Sequence, residues 1–260
     1  MSLLYSSGDN GDETGGVKGA TPSPDFPASS PLVTAVGGTS LGVDASNQRV
    51  LELGWETGKE TLQSNGKWSA PAYLYGSGGG TSRLFAQPDY QKGVASAIST
   101  TNRVVPDVSA VGDPNTGMLV GETQMASDGT VVYDYYRLGG TSLSSPLYAG
   151  MLALVEQQVG HEMGLANPAL YAAQSVSYDI TKTERARVAD EQGADTWPGV
   201  VRADYVNAED ATDGYVYSVR LLDYDEPLTI HVRTGYDDVT GVGSPDGTAW
   251  LNAVAGAATP

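Results

Sequence analysis

The sequence of 260 residues contains no cysteine, which excludes disulfide bonds, thiolate metal sites and a cysteine nucleophile. Only two histidines are present, so chemistry that depends on imidazole has few candidates. Basic residues are also scarce, because 14 Lys and Arg stand against 31 Asp and Glu, a formal net charge of −17 at pH 7. Since contacts with phosphate need a basic face, we expect no nucleic acid partner. The acidic excess is typical of a protein that stays soluble by self-repulsion or that works where carboxylates are protonated.

Long apolar runs are missing as well. The longest, residues 146–155, is about half of what a bilayer-spanning helix needs, so we expect no membrane partner. The first residues, MSLLYSSGDNGDE, have neither the basic start nor the apolar stretch of a signal peptide. Hydrophobic residues still make up 40% of the chain, which is enough to build a packed core.

The sequence patterns predict alternating strands and helices. Residues 31–41 predict a buried strand, and residues 116–138 predict a hairpin of two β-rich runs joined at an Asp-Gly turn. Residues 88–99 predict a helix that begins at a proline. A stronger helix follows Pro146, capped by Ser144 or Ser145, and it is apolar almost all round, so we expect it to be buried. This alternation predicts an α/β fold.

The pentapeptide Gly-Gly-Thr-Ser-Leu occurs twice, and its serine differs in context between the two copies. Ser142 lies between glycines and the start of the apolar helix, whereas Ser40 is followed by LGVDAS, which contains no helix start. Glycines permit a sharp turn, and a helix N-terminus directs backbone N–H groups and a positive dipole end at a developing negative charge. We therefore expect Ser142 to be the nucleophile and Ser40 to be structural.

Histidine, the usual base for such a serine, does not fit here. His161 ends the helix after Ser142, two to three turns too far away, and His231 lies in a β-rich stretch. The string Gly-Thr-Ser-Leu-Ser lacks the second glycine of a nucleophile elbow, and Ser145 stands where a Ser-x-x-Lys motif needs lysine. Both histidines are expected to be structural or exposed to solvent.

Gly139-Gly140-Thr141-Ser142 with Pro146 resembles the nucleophile motif of the sedolisins, the serine-carboxyl peptidases that include the kumamolisins. The resemblance implies a subtilisin-like α/β fold, with a mostly parallel central sheet and flanking helices, and a secreted endopeptidase that works in acid on peptide or protein substrates. Five further segments are similar to family segments in the same order: residues 6–11, 26–41, 76–91, 105–117 and 234–247.

The resemblance also implies roles for individual residues. Ser142 would attack the scissile carbonyl, and the oxyanion would be held by the Ser142 N–H and the Asp9 side chain. An ionised carboxylate would repel an oxyanion, so Asp9 has to carry a proton, which gives a physical reason for activity in acid. The stretch similar to the family's substrate cleft contains Ser77, Gly78, Gly79 and Gly80.

The base is where the sequence departs from the family pattern. Sedolisins use a glutamate oriented by an aspartate, on a helix upstream of the oxyanion aspartate, and no residue here matches either one. We therefore expect residues 1–260 to form a single, incomplete peptidase domain, inactive alone, whose partner is the missing N-terminal portion with its first strands. Residues 183–230 are acidic and then β-rich, and predict an insertion.

A calcium site is the last feature that the resemblance implies. Its ligands would be the Asp179 carboxylate, the Ile180 carbonyl, the carbonyls of Arg233 and Gly235, and the Asp237 carboxylate. All-oxygen ligation suits a hard cation. Arg233 replaces a family glycine, which a carbonyl ligand tolerates if the backbone angles permit. The alternatives are a turn with solvated carboxylates at this site and, for the protein, a non-catalytic calcium-stabilised binding module that keeps the peptidase fold.

Overall fold

The structure is a computed structural model, and it describes residues 1–61, 63–67, 69, 72–181, 215–220 and 228–258. The insertion predicted at 183–230 lies outside these residues, apart from one strand and its last three positions. The described strands are β1 Leu4–Ser6, β2 Thr34–Val43, β3 Arg49–Gly54, β4 Glu56–Thr61, β5 Ala72–Gly76, β6 Gly80–Ala86, β7 Asn102–Val105, β8 Val108–Val111, β9 Met118–Met125, β10 Val131–Leu138 and β11 Tyr215–Arg220. The α-helices are α1 Thr141–Val159, α2 Asn167–Ala172 and α3 Gly247–Ala257.

The central sheet is built around β2, the predicted strand. β2 runs parallel to both β1 and β8, with Val36 opposite Ser6 on one side and Val108 on the other. Beyond its glycines, β2 continues to Val43 and pairs antiparallel with β3. The prediction of a mostly parallel sheet in a subtilisin-like α/β fold is confirmed. Among the described strands, β1 pairs with β2 alone.

The main core lies between this sheet and the helices α1, α2 and α3. Tyr148 of α1 meets Trp250 of α3 edge to face, with ring centroids 5.7 Å apart, and Leu152 and Val155 are buried beside them. The prediction that α1 is buried all round is wrong, because only one face packs on the sheet and Leu154 on the opposite side is 52% exposed. Burial of that face removes apolar surface from water and holds α1 against the sheet.

The turn between β7 and β8 is fixed by a buried ion pair. Arg103 donates to both oxygens of Asp107, at 2.7 and 2.6 Å, and neither side chain is exposed. The helix predicted at 88–99 is reduced to a 3-10 turn at Asp89–Gln91. The amide of Gln91 explains this, because it bonds the N–H and the carbonyl of Val104 and so ties the segment to β7.

Three smaller sheets surround the core. β9 and β10 form the predicted hairpin, β6 pairs with β7, and β11 joins β4 and β5 in an antiparallel sheet. No helix in the described ranges is long and apolar enough to cross a membrane.

Candidate active site

The nucleophile segment starts a helix earlier than its sequence indicates. α1 begins at Thr141 rather than after Ser144 or Ser145, so Ser142 is its second residue and is exposed. Gly140 precedes it with φ of 80°, in the left-handed region that favours glycine. The local prediction failed because the cap comes from elsewhere in the chain: Oδ1 of Asp9 accepts the Thr141 N–H at 2.7 Å and its hydroxyl at 2.8 Å.

The end of β1 is attached to this turn by further contacts. The Ser6 hydroxyl donates to the Thr141 carbonyl at 3.0 Å, and the Gly8 N–H donates to the Thr141 hydroxyl at 3.2 Å. A Cβ at Gly140 would lie 2.7 Å from Oδ2 of Asp9, so only glycine fits there. Asp9 therefore lies beside the turn of residues 139–142, where its Oδ1 accepts both hydrogen bonds from Thr141.

The Ser142 hydroxyl makes no hydrogen bond within the described ranges, and it stands at the positive end of a 19-residue helix. The two histidines remain poor bases. His161 follows the C-terminal end of α1, roughly 28 Å along the axis from Ser142 at 1.5 Å per residue. The backbone N–H of His231 donates to Oδ1 of Asp238 at 2.9 Å, and the ring Nδ1 of His231 is buried.

A pocket of about 310 Å³ opens next to Asp9. It is lined by Asp9, Trp55, Tyr75, Pro114, Arg137, Leu138, Gly139 and Gly140. The glycines and Asp9 were predicted from sequence motifs, whereas Trp55, Tyr75 and Arg137 were not. Each of those three lies in or beside a strand with no motif of its own, and only the packing of β5 and β10 around the turn brings them together.

The predicted cleft residues lie behind this pocket. Ser77, Gly78, Gly79 and Gly80 are all buried. Gly78 donates to the carbonyl of Gly8 at 2.8 Å, and a Cβ at Gly78 or Gly79 would overlap neighbouring backbone. These glycines let the strand end approach the Asp9 segment closely. Their contact with substrate stays a prediction.

Ser40, in the other copy of the pentapeptide, is fully buried within β2. Its hydroxyl donates to Oδ2 of Asp113 at 2.6 Å. Asp113 is itself buried and also accepts the N–H of Asn115 at 2.8 Å. This placement gives Ser40 a structural contact in the loop below the nucleophile turn.

Carboxylates crowd around Asp9. Burial, and then the charge of Asp25, raise the pKa of Glu13, and burial and the charge of Asp9 raise the pKa of Asp25. Asp12 differs: burial opposes its ionisation, yet hydrogen bonds from Thr14 and Thr229 lower its pKa. Near Asp9, Asp12 therefore holds its negative charge more readily than an ordinary carboxylate, whereas Glu13 and Asp25 take up protons more readily.

The residues of the predicted calcium site lie near one another. Oδ2 of Asp179 accepts the Gly235 N–H at 2.9 Å, and both line a pocket of about 390 Å³. Ile180 is buried beside them. Asp237 is buried and accepts the N–H of Arg233 at 3.2 Å and further bonds within its own loop. The described residues contain no group of three or more His, Asp or Glu side chains that could hold a metal ion, so backbone carbonyls would have to complete the site.

Comparisons with known proteins identify the family. A sequence model of the subtilase family matches residues 2–194. Kumamolisin from Bacillus sp. (strain MN-32) is 33% identical over 199 residues, 72% of this chain and 32% of that protein. Sedolisin from Pseudomonas sp. (strain 101) is 34% identical over 182 residues, 66% of this chain and 27% of that protein.

Comparison of the fold with solved structures also finds a sedolisin. A solved structure of Pseudomonas sedolisin, a serine-carboxyl proteinase complexed with two molecules of pseudo-iodotyrostatin, matches with a TM-score of 0.63 and 25% identity. The match covers 98% of this chain and 55% of the sedolisin chain. These matches define the class as a peptidase domain of subtilase fold. Within that class, the chain belongs to the sedolisin family of serine-carboxyl peptidases, and it spans about a third of kumamolisin.

Proposed function

We propose that this chain carries the nucleophile and the oxyanion site of an acid-acting, extracellular serine-carboxyl endopeptidase. The observation that supports this most directly is the bonding of Asp9 to Thr141, one residue before the exposed Ser142. It fixes an acid group and a hydroxyl on the same helix N-terminus, the arrangement that acyl transfer needs.

In the proposed reaction, Oγ of Ser142 attacks the scissile carbonyl carbon and its proton leaves to a carboxylate base. The tetrahedral oxyanion accepts hydrogen bonds from the Ser142 N–H and from protonated Oδ2 of Asp9, because Oδ1 is engaged with Thr141. Collapse of this intermediate expels the amine, which takes the proton back from the protonated base, and leaves an acyl group on Ser142. Water then hydrolyses the ester.

The base would come from outside these 260 residues, because neither histidine fits and Asp9 is assigned to the oxyanion. We propose a glutamate and its aspartate partner on the N-terminal portion of the same domain. The chain alone would then bind peptide without cleaving it.

The experiment is cleavage of a denatured protein at about pH 4, near the midpoint for protonation of model carboxyl groups. The chain alone, the whole gene product and the whole gene product with Ser142→Ala are compared. Cleavage by the whole product alone supports the proposal. Cleavage by the isolated chain refutes the external base, and binding without Ser142-dependent cleavage in the whole product favours a non-catalytic module.

Calcium is a second part of the proposal. The Asp179 carboxylate and the Gly235 turn line one pocket, and the carbonyls of Ile180 and Arg233 would complete an oxygen set with Asp237. A bound ion would offset the negative charge of Asp179 and Asp237 and would hold the ends of the 179–237 connection together.

A further inference from the structure

The β9–β10 hairpin presents an apolar face that leads away from the active-site pocket. Tyr133 and Tyr135 of β10 both stand over Gly121 of β9, with ring centroids 5.6 Å apart in an edge-to-face arrangement. They are 60% and 64% exposed. Val131 and Met125, a directly opposed pair at the far end of the same face, are 67% and 75% exposed.

This face is continuous with the pocket next to Asp9. Side chains alternate along a strand, so Arg137 shares the face of Tyr133 and Tyr135. Arg137 also lines the pocket that contains Asp9, and Gly139 and Gly140, which precede Ser142, line it as well. From Arg137 to Val131 the face is roughly 20 Å long at about 3.3 Å per residue, the length of six extended residues.

We infer that this face is a docking site for an extended segment of the substrate polypeptide with apolar or aromatic residues at alternate positions. The inference rests on the proposed function, since continuity with the pocket beside Ser142 is what identifies the occupant as substrate. Aromatic side chains supply large contact area with little loss of conformational freedom. A second copy of the chain is a poorer occupant, because the net charge of −17 opposes self-association at neutral pH.

Binding tests this without any catalytic step. Calorimetric titration uses the chain with Ser142→Ala and two capped octapeptides, one alternating Phe with Lys and the other alternating Ser with Lys. The Phe peptide should bind at least about tenfold more tightly than the Ser peptide, and Tyr133→Ser with Tyr135→Ser should remove most of that difference. Leu32→Ser with Leu84→Ser is the matched control, because those leucines are 73% and 86% exposed elsewhere and should change nothing.

Three outcomes overturn the inference: equal affinity for the two peptides, unchanged binding by the tyrosine variant, or equal weakening by the leucine variant. Sedimentation of the same proteins checks the other occupant, since a dimer abolished by the tyrosine substitutions would make the face a homotypic interface. In the whole gene product, the tyrosine variant should raise KM for long substrates and leave kcat unchanged. Absence of Ser142-dependent cleavage together with intact tyrosine-dependent peptide binding would refute the proposed function while leaving a peptide-docking face.

Discussion

Asp9 and Thr141 are 132 positions apart in the chain, yet Oδ1 of Asp9 accepts both the N–H and the hydroxyl of Thr141, at 2.7 and 2.8 Å. One carboxylate therefore caps the helix that carries Ser142 and brings a second oxygen to the nucleophile turn. The capping contact and the proposed contact with the oxyanion are separable, because they would use different oxygens of the same carboxyl group.

The two roles of Asp9 predict different results for two substitutions. Asp9→Ala removes both oxygens, so kcat of the whole enzyme should fall by about 10²–10³ and the free energy of unfolding by about 1 kcal/mol. Asp9→Asn keeps an acceptor for Thr141 and offers an N–H donor at any pH, so the ratio of activity at pH 7 to that at pH 4 should rise. An unchanged ratio in the asparagine variant would contradict a protonated Asp9 as donor.

The two serines of the repeated pentapeptide should respond in opposite ways. Ser142→Ala should abolish cleavage and leave the melting temperature unchanged, because its side chain is exposed. Ser40→Ala should preserve cleavage but lower the free energy of unfolding by about 1–3 kcal/mol, because buried Asp113 loses a donor. Activity assays and urea denaturation of both variants test this, and loss of activity in a folded Ser40→Ala protein would count against the assignment.

The Arg103–Asp107 pair should dominate the stability of the corner between β7 and β8. Arg103→Met leaves the buried Asp107 carboxylate without its cationic partner. We expect the free energy of unfolding, measured by urea denaturation, to fall by about 3–5 kcal/mol. In the double variant Arg103→Met, Asp107→Leu, the free energy of unfolding should fall by less than the sum of the falls in the two single variants, because neither charge remains. Additive losses would show that the pair does not act as a unit.

The contribution of Glu52 to the free energy of unfolding should decline as pH rises above the usual pKa of glutamate. Burial raises the pKa of Glu52 above its usual value of 4.5, in spite of hydrogen bonds from Ser244, Thr39 and Arg49. The folded state then holds a proton that the unfolded state has released, so this contribution is full below about 4.5 and is lost as pH rises through the raised pKa. The slope for one group is at most about 1.4 kcal/mol per pH unit. Glu52→Gln should flatten the curve of melting temperature against pH, and a curve identical to that of the wild type would contradict the assignment.

Calcium should raise the melting temperature at millimolar concentration, because an ion that binds only the folded state stabilises it by mass action. Asp179→Ala should abolish this shift, whereas Asp128→Ala, at an exposed hairpin turn, should preserve it. Equilibrium dialysis of the same proteins gives the stoichiometry. No shift in the wild-type chain would remove the proposed site.

Much of the fold was predictable from local patterns, since the β2 strand, the 116–138 hairpin and the helix that contains Pro146 occur where composition and turn residues place them. The errors have tertiary causes. The helix expected at 88–99 is a short turn because Gln91 is used by β7, and α1 starts early because Asp9 caps it from far away. Neither contact leaves a local signature.

By itself, the sequence determined the family and the candidate nucleophile, through a Gly-Gly-Thr-Ser turn before an apolar helix, two poorly placed histidines, and segments in sedolisin order. Which serine is exposed, which oxygen of Asp9 bonds to Thr141, and the pocket formed with Trp55, Tyr75 and Arg137 were decided only by the tertiary structure. The physical reason is that catalysis depends on side-chain positions within a few ångströms. Parallel pairing and packing between distant segments set those positions, whereas local propensity sets only which strands and helices form.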